Sequence, residues 1–483
     1  MAWSEAAMAR FSPVKLSFLF SFAEKYTLLL LGMASAMVIA RVLTPAEIGV
    51  YSVGAVLAGL AQAVRDFGVG QYVIQEKELS RDKLRAALST SIAVAWLLAV
   101  LVWTGSGMLA SFYRQPQLRP VLHLLALNFV LIPFSSVTLP YLRRELRFPA
   151  IYAINTCHSV AQLACSVSLA LLGFGSLSLA WAAVAGTVAA LLASLLLRPA
   201  GLPWLPGVRG MRQILRFGAL STAGGVVDEI GVAAPDLIVG KLIGVADVGI
   251  FGKATGVLNI FNQLITSAIS PVMYPLYAAQ ARSGGDVKQV YLQTVSYMAA
   301  MAWPFFGFLA VMAPSVLRVL YGPQWDAAVP LVRVMCISSG IYSMFSMARY
   351  LLVAIGHVKA QAQLDALAVP VRVVAILLAA PLGLVWVAWA VVLGALFRSA
   401  VTYFYLSSLA GIVWRDLLKA VWRSALVAVP CVAGAWLTAA WLPGADGHLL
   451  LPLLAATGAT ALLWLGAMLL VRHELAIEFN LAK

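Results

Sequence analysis

The sequence predicts an all-α polytopic membrane protein with about 14 transmembrane helices, and three observations carry that prediction. Of 483 residues, 62% are hydrophobic and only 11% are charged, less than half the ~25% charge of a soluble domain. Mean hydropathy is +0.92, and no soluble fold hides that much apolar surface under so little polar cover. The apolar residues also come in runs of span length, ~20 residues each, separated by short polar breaks. Finally, Lys and Arg are distributed unevenly among those breaks. So little chain is left outside the runs that a cytosolic enzyme on a membrane anchor is excluded. A pump carrying a soluble nucleotide-binding domain is excluded for the same reason.

Taken in order, the runs place spans near 16–42, 48–73, 86–110, 120–140, 150–172, 177–197, 214–242, 252–277, 291–313, 328–353, 362–380, 384–408, 420–442 and 448–471. The first run is too long for a signal peptide and lacks a small-residue cleavage site. With the N-terminus placed in the cytoplasm, the basic breaks Lys77 to Arg85, Arg143 to Arg147, Arg198 to Arg216 and Arg415 to Arg423 all fall on the inside. Inside exceeds outside by roughly four to one, the positive-inside pattern. Both termini are therefore expected in the cytoplasm. The formal charge of +14 is mainly topological and gives no support to nucleic-acid binding. Cys157, Cys165, Cys336 and Cys431 sit in apolar runs without CxxC or CxxH spacing, so neither zinc nor a disulfide framework is indicated.

An internal repeat organises the spans. Ala40 to Tyr51 (ARVLTPAEIGVY) realigns with Gly240 to Phe251 (GKLIGVADVGIF), with Ala46 matching Ala246 and Gly49 matching Gly249. In the same order, LASFYRQPQLRPVL near 109 corresponds to LRVLYGPQWDAAVP near 317. Each of the latter links the third and fourth spans of its half. This divides the chain into an N-lobe (1–200, spans one to six), an inter-lobe link and C-lobe (201–410, spans seven to twelve), and spans thirteen and fourteen with the tail (411–483). Parallel repeats of this kind place a pathway between two bundles, open alternately to each side. The pattern points to a transporter.

On these residues the chain resembles the polysaccharide transporter family, the Wzx-type lipid-linked oligosaccharide flippases. Their superfamily also holds the multidrug/toxin extrusion antiporters and the lipid II flippases. The resemblance is carried by ARVLTPAEIGVY, VRDFGVGQYVIQ (Val64 to Gln75), YLRRELRF (Tyr141 to Phe148), IVGKLIGVADVGIFGKA, the Pro271/Pro275 pair and LYGPQWDAAVPLVRV (Leu320 to Val334). It implies a fourteen-helix fold with a V-shaped cavity between lobes and a bent seventh helix. It further implies movement of polyprenyl-diphosphate-linked sugars from the inner to the outer leaflet of a bacterial inner membrane. A polymerase and a chain-length regulator are the partners this resemblance suggests; the product is O-antigen, capsule or exopolysaccharide.

Charges inside spans single out candidate site residues, because exposing one to lipid costs at least ~2.5–3.5 kcal/mol. Lys253, Arg333 and Asp236 lie near span ends and are expected to snorkel to headgroups. Deeper or better placed are Lys25, Arg65, Arg349, Arg372 and Arg398. These five are the expected cavity cations, since a diphosphate carries about two negative charges and guanidinium forks suit phosphate oxygens. The opposing reading neutralises them with nearby acids: Lys25 by Glu24, Arg65 by Asp66, Arg372 by Asp365. Asp228 and Glu229 stand mid-span after Gly224–Gly225 and before Pro235. With Glu24 and Asp66 they are the candidates for binding a coupling ion, H⁺ or Na⁺. No other cofactor is expected, and the five histidines show no ligand spacing.

Two rival functions share parts of the pattern. A cation-coupled drug antiporter has the same architecture but should line its cavity with acids. A membrane polysaccharide polymerase or ligase should carry a long loop holding reacting residues, whereas the longest outside segment, near Ala313 to Ala328, is short. Catalysis is not expected.

Overall fold

The structure is a computed structural model that describes residues 13–65, 68–441 and 450–478. Among these residues every regular element is helical. In chain order they are α1 (Pro13–Val42), α2 (Pro45–Arg65, resumed as Val69–Gln75), α3 (Arg81–Phe112), α4 (Leu118–Leu131, continuing through Pro133–Ser136 to Thr138–Arg144), α5 (Phe148–Leu171), α6 (Ser176–Leu196) and α7 (Met211–Leu242). Then come α8 (Val245–Phe261, a π-turn at Asn262–Thr266, and Ser267–Arg282), α9 (Val287–Tyr321), and α10 (Val329–Ser343 and Ala348–Ala354) preceded by the 3-10 turn Pro323–Ala328. The chain closes with α11 (Val358–Ala379), α12 (Leu384–Ala410), α13 (Trp414–Trp441), α14 (Leu450–Leu470) and the short α15 (Glu474–Glu478). Each predicted span falls on one of α1 to α14. Among the described residues ten helices are long and apolar enough to cross a membrane, eleven if the bent α4 counts as one span. Large apolar side chains point outward along them, Leu470 being 88% exposed, as befits helices solvated by hydrocarbon. The protein is a multi-pass membrane protein.

The repeat is visible in the helix ends. α1 stops at Val42 and α7 at Leu242; α2 starts at Pro45 and α8 at Val245. The first start is a capping box. The Thr44 amide and hydroxyl both donate to the Glu47 carboxylate at 2.8 Å, and the Glu47 amide donates back to the Thr44 hydroxyl at 3.3 Å. These bonds satisfy amides the helix itself cannot, and Pro45 opens the first turn with its φ already set. In the second copy Gly244 takes the cap position, with Asp247 in the first turn. The Thr44–Glu47 box also meets the α5–α6 turn: a Cβ on Gly175, at φ +56°, would stand 2.7 Å from the Glu47 carboxylate. Only glycine tolerates both conditions there.

Proline and π-geometry interrupt the regular helix in α4 and α8. α4 bends by 41° at Pro133, where the ring removes a backbone donor. In α8 the π-turn precedes Pro271 and Pro275, which lie inside Ser267–Arg282. α7 is helical from Met211 to Leu242, with Pro235 inside it.

Two compact units divide the chain between Lys241 and Leu242. In the first, α5 packs on α6 and α1, while α3 packs on α4. Arg144 of the YLRRELRF motif ties this unit together. Its guanidinium donates to the carbonyls of Val73 (3.0 Å), Glu76 and Lys77 (3.2 Å), closing the end of Val69–Gln75. In the second unit α9 packs along α13, α13 on α14, and α12 on both α10 and α11. α15 is held by His473, which is fully buried; its Nε2 faces the Ser424 hydroxyl at 3.0 Å and its Nδ1 accepts the Leu475 amide at 3.2 Å.

Candidate functional site

The sequence-derived site residues fall into separate clusters. In the first unit, Glu24 lies in α1 eleven residues beyond Pro13, or ~16 Å of helix. Its carboxylate accepts from the Asn155 side-chain amide of α5 at 2.6 Å. Lys25 beside it is half-buried. Glu229 of α7 reaches α2, with its Oε1 standing 3.5 Å from where a Cβ on Gly59 would be. The Asp228 side chain and all of Asp66 lie outside the described residues.

Arg65 ends the first segment of α2 and lines a cavity of about 500 Å³. The walls include Gln71, Ser91, Ser135, Ser136 and Arg143, and the bend of α4 at Pro133 forms one side. A helix broken at Gly68 (φ 62°) and another bent at Pro133 leave a gap that straight helices would close. Arg143, in the last turn of α4, also lines the cavity; the sequence reading treated it only as an orientation signal.

The second unit holds the tightest charged cluster. The Arg398 guanidinium of α12 pairs with Asp365 of α11 at 2.7 Å. The other Asp365 oxygen accepts from the Gln361 amide, also at 2.7 Å. Those two residues are one turn apart, so they share a helix face. Arg398 further faces the ring of Tyr342 in α10, 5.8 Å from its centroid. Arg372 lies within electrostatic reach of Arg398, Asp365 and Tyr342. Its stem rests on Gly394 of α12, where a Cβ would meet Arg372 Cγ at 3.1 Å. Arg398 is one turn further along that helix. The missing side chain at 394 thus allows two cationic stems to lie side by side. Arg349 opens the last segment of α10 and is exposed.

The geometry adds partners to two of the charges. Asp365 is bound at 2.7 Å by Arg398 of the neighbouring helix, a pairing that the sequence reading did not name. Lys253 has aromatic partners: its ammonium sits 4.7 Å from the Tyr321 ring and 5.3 Å from the Trp325 ring. Both aromatics belong to the LYGPQWDAAVP motif, and the contacts are of cation–π type. Sequence reasoning did not mark Asn155, Gln361, Tyr342 or Gln71. They are uncharged, and only the i, i+4 spacing of Gln361 to Asp365 hinted at one of them. Among the described residues no group of three or more His, Cys, Asp or Glu gathers as a metal site.

Among the described residues the protein is a helical, multi-pass membrane protein with two compact units, and solved structures share that fold. The lipid II flippase MurJ in its inward closed conformation superimposes with a TM-score of 0.77, covering 95% of this chain and 99% of that one at 11% identity. An inward-facing multidrug resistance MATE family transporter of the MOP superfamily follows at 0.62, covering 80% of this chain and 96% of that one at 15% identity. The polysaccharide biosynthesis protein family matches residues 38–330, and the chain belongs to it. Similar proteins include the lipopolysaccharide biosynthesis protein WzxC of Escherichia coli (strain K12), 23% identical over 64% of this chain and 63% of the relative. The teichuronic acid biosynthesis protein TuaB of Bacillus subtilis (strain 168) is 24% identical over 57% and 58%. The succinoglycan biosynthesis transport protein ExoT of Rhizobium meliloti (strain 1021) is 24% identical over 63% and 62%. The chain thus spans less than two thirds of the length of these curated relatives.

Proposed function

We propose that this protein is a flippase that moves polyprenyl-diphosphate-linked oligosaccharide across the bacterial inner membrane by alternating access. The cargo's diphosphate carries about two negative charges, and taking it unaided through ~30 Å of hydrocarbon is prohibitive. The observation that carries the reading is the α10–α12 cluster, where two arginines lie together mid-helix against one carboxylate. Guanidinium groups held at mid-helix present donors whose geometry suits phosphate oxygens. Family membership and the biosynthetic relatives support the same class of cargo. In this reading Lys25, Arg65 and Arg349 extend the cationic path. Glu24 and Glu229, with Asp66 and Asp228, respond to H⁺ or Na⁺. The repeat boundaries at 200 and 410 mark the moving bundles, both termini face the cytoplasm, and a polymerase and chain-length regulator receive the product. Transport breaks no bond, so no catalytic residue is assigned.

The drug-antiporter alternative shares the fold but calls for an acid-dominated cavity, against the basic excess of the clusters described. Lipid mass spectrometry on a deletion strain tests the proposal. Accumulation of a complete oligosaccharide on polyprenyl diphosphate, with loss of surface polymer, is expected. Normal lipid pools with new sensitivity to cationic dyes would give the antiporter reading its place.

A further inference from the structure

We infer that the link between α6 and α7, with the first turns of α7, is an interfacial anchor that binds the headgroup phosphates of anionic phospholipids, a partner separate from the transported cargo. Arg198 to Arg216 (RPAGLPWLPGVRGMRQILR) holds four arginines, and no Asp or Glu occurs anywhere from 146 to 227. The backbone of this link is pinned to α3. Leu202 is buried in a core that includes Leu84 and Leu88. The Arg85 guanidinium donates to the carbonyls of Leu205 (3.2 Å) and Pro206 (3.3 Å). The Ser89 hydroxyl donates to the Gly207 carbonyl and accepts the Gly207 amide, both at 2.8 Å. The approach is so close that a Cβ on Gly207 would stand 3.0 Å from Arg85 Cβ. With the backbone turned inward, the large apolar side chains are left outside: Trp204 is 68% exposed, Leu205 69% and Val208 79%.

The depth of these side chains decides what covers them. α3 has 32 residues, or ~48 Å of helix, against ~30 Å of hydrocarbon. Its first turns therefore lie at headgroup level, and Arg85 and Ser89, four and eight residues beyond Arg81, hold the link there. α6, the span before it, ends at Leu196, so the link leaves the hydrocarbon and stays beside it. Exposed Trp, Leu and Val at that depth meet the boundary between headgroups and acyl chains, where a tryptophan ring is favoured. The cations complement this apolar set. The Arg198 guanidinium lies 4.2 Å from the centroid of the Trp204 ring. Arg209, Arg212 and Arg216 are exposed, and the last two are four residues apart, on one side of α7. Guanidinium forks suit phosphate oxygens, and each basic residue at an anionic surface strengthens binding about fivefold. A lipid held here joins the end of α6 and the start of α7 to α3, so anionic lipid should stabilise the first unit.

The test uses the full chain in nanodiscs of phosphatidylcholine with and without phosphatidylglycerol, followed by mass spectrometry of the lipid that stays bound after detergent extraction. The wild type is expected to retain phosphatidylglycerol about tenfold over phosphatidylcholine, from the fivefold that each arginine supplies less screening. Raising the salt to about 1 M, where the Debye length is ~3 Å, should erase that preference. Arg209→Gln/Arg212→Gln/Arg216→Gln should lose it. A set with the same change of charge at other exposed helix ends, Arg282→Gln/Lys359→Gln/Arg415→Gln, should keep it. Hydrogen exchange on the wild type reads the same contact without any variant: the amides of Leu205, Gly207 and Val208 should slow about tenfold when phosphatidylglycerol is added. A wild type without lipid preference, or an equal loss in both sets of variants, overturns the anchor. Displacement of bound phosphatidylglycerol by inorganic phosphate would assign the arginines to a soluble anion. Displacement by farnesyl diphosphate at far lower concentration would assign them to the cargo. Either displacement overturns the inference, whereas failure of both competitors to displace the lipid supports it.

Discussion

Asp365 and Arg398 join α11 to α12 across 2.7 Å, and removing either partner alone leaves the other charge facing a low-dielectric interior. For a fully buried pair that costs ~3–5 kcal/mol. Here 27% of the Arg398 side chain remains open. Solvent and the Tyr342 ring relieve part of the cost, and about 2–3 kcal/mol is expected for Asp365→Asn or Arg398→Gln. In a unit of ~240 residues, each kcal/mol shifts the melting temperature by roughly 2–4 °C, so each single variant should melt about 4–12 °C lower. The double variant removes both charges and should recover most of that loss, giving a favourable coupling energy in a double-mutant cycle. The assay is heating of the detergent-solubilised protein followed by size-exclusion chromatography. Single variants that melt with the wild type, or a double variant that falls by the sum of both, would refute the pairing as a structural element.

Arg144→Ala should loosen the α2–α3 connection, because the carbonyls of Val73, Glu76 and Lys77 lose a charged donor; hydrogen exchange at 73–77 should rise by an order of magnitude or more (~1.5–3 kcal/mol per charged bond), and unchanged exchange would contradict it. Trp325 is fully buried and also faces Lys253, so Trp325→Ala should destabilise the second unit by about 3–5 kcal/mol, read as a lowered melting temperature. Burial and the nearby Arg423 push the His473 imidazole down to about 4. The undocked tail takes a proton near 6.5, so docking of α15 is fully stable above that pH and weakens as pH falls towards 4. Limited proteolysis of the tail should therefore accelerate across that window in the wild type, and a flat rate would contradict the buried neutral imidazole.

The fold was legible because the bilayer enforces it. Runs of span length must be helices, since hydrocarbon offers no partner for an open backbone, and the fourteen runs coincide with α1 to α14. The repeat was legible for a similar reason. Thr44–Pro45–Glu47 and Gly244–Val245–Asp247 are local signals for a helix start, and both helices start there. The partners of individual charges were not legible. Helical spacing relates Asp365 to Gln361 and to Arg372, but Arg398 comes from another helix thirty-three residues on, and no pattern along one chain reports which helices are neighbours. Lys253 shows the same limit: its distance from a span end suggested headgroups, while its aromatic partners lie on later elements. The cavity at Arg65 depends on a break at Gly68 and a bend at Pro133, each a plain sequence signal whose coincidence in space only the fold provides.

The central claim is transport of a lipid-linked diphosphate, and reconstitution measures it without intermediaries. Purified protein in vesicles of bacterial phospholipid would be supplied with polyprenyl-diphosphate oligosaccharide in the outer leaflet, and the fraction open to an added glycosidase followed in time. The account predicts that protected lipid appears with the wild type at a rate well above protein-free vesicles, and that Arg372→Gln/Arg398→Gln abolishes it. Equal rates in protein-containing and empty vesicles would contradict it.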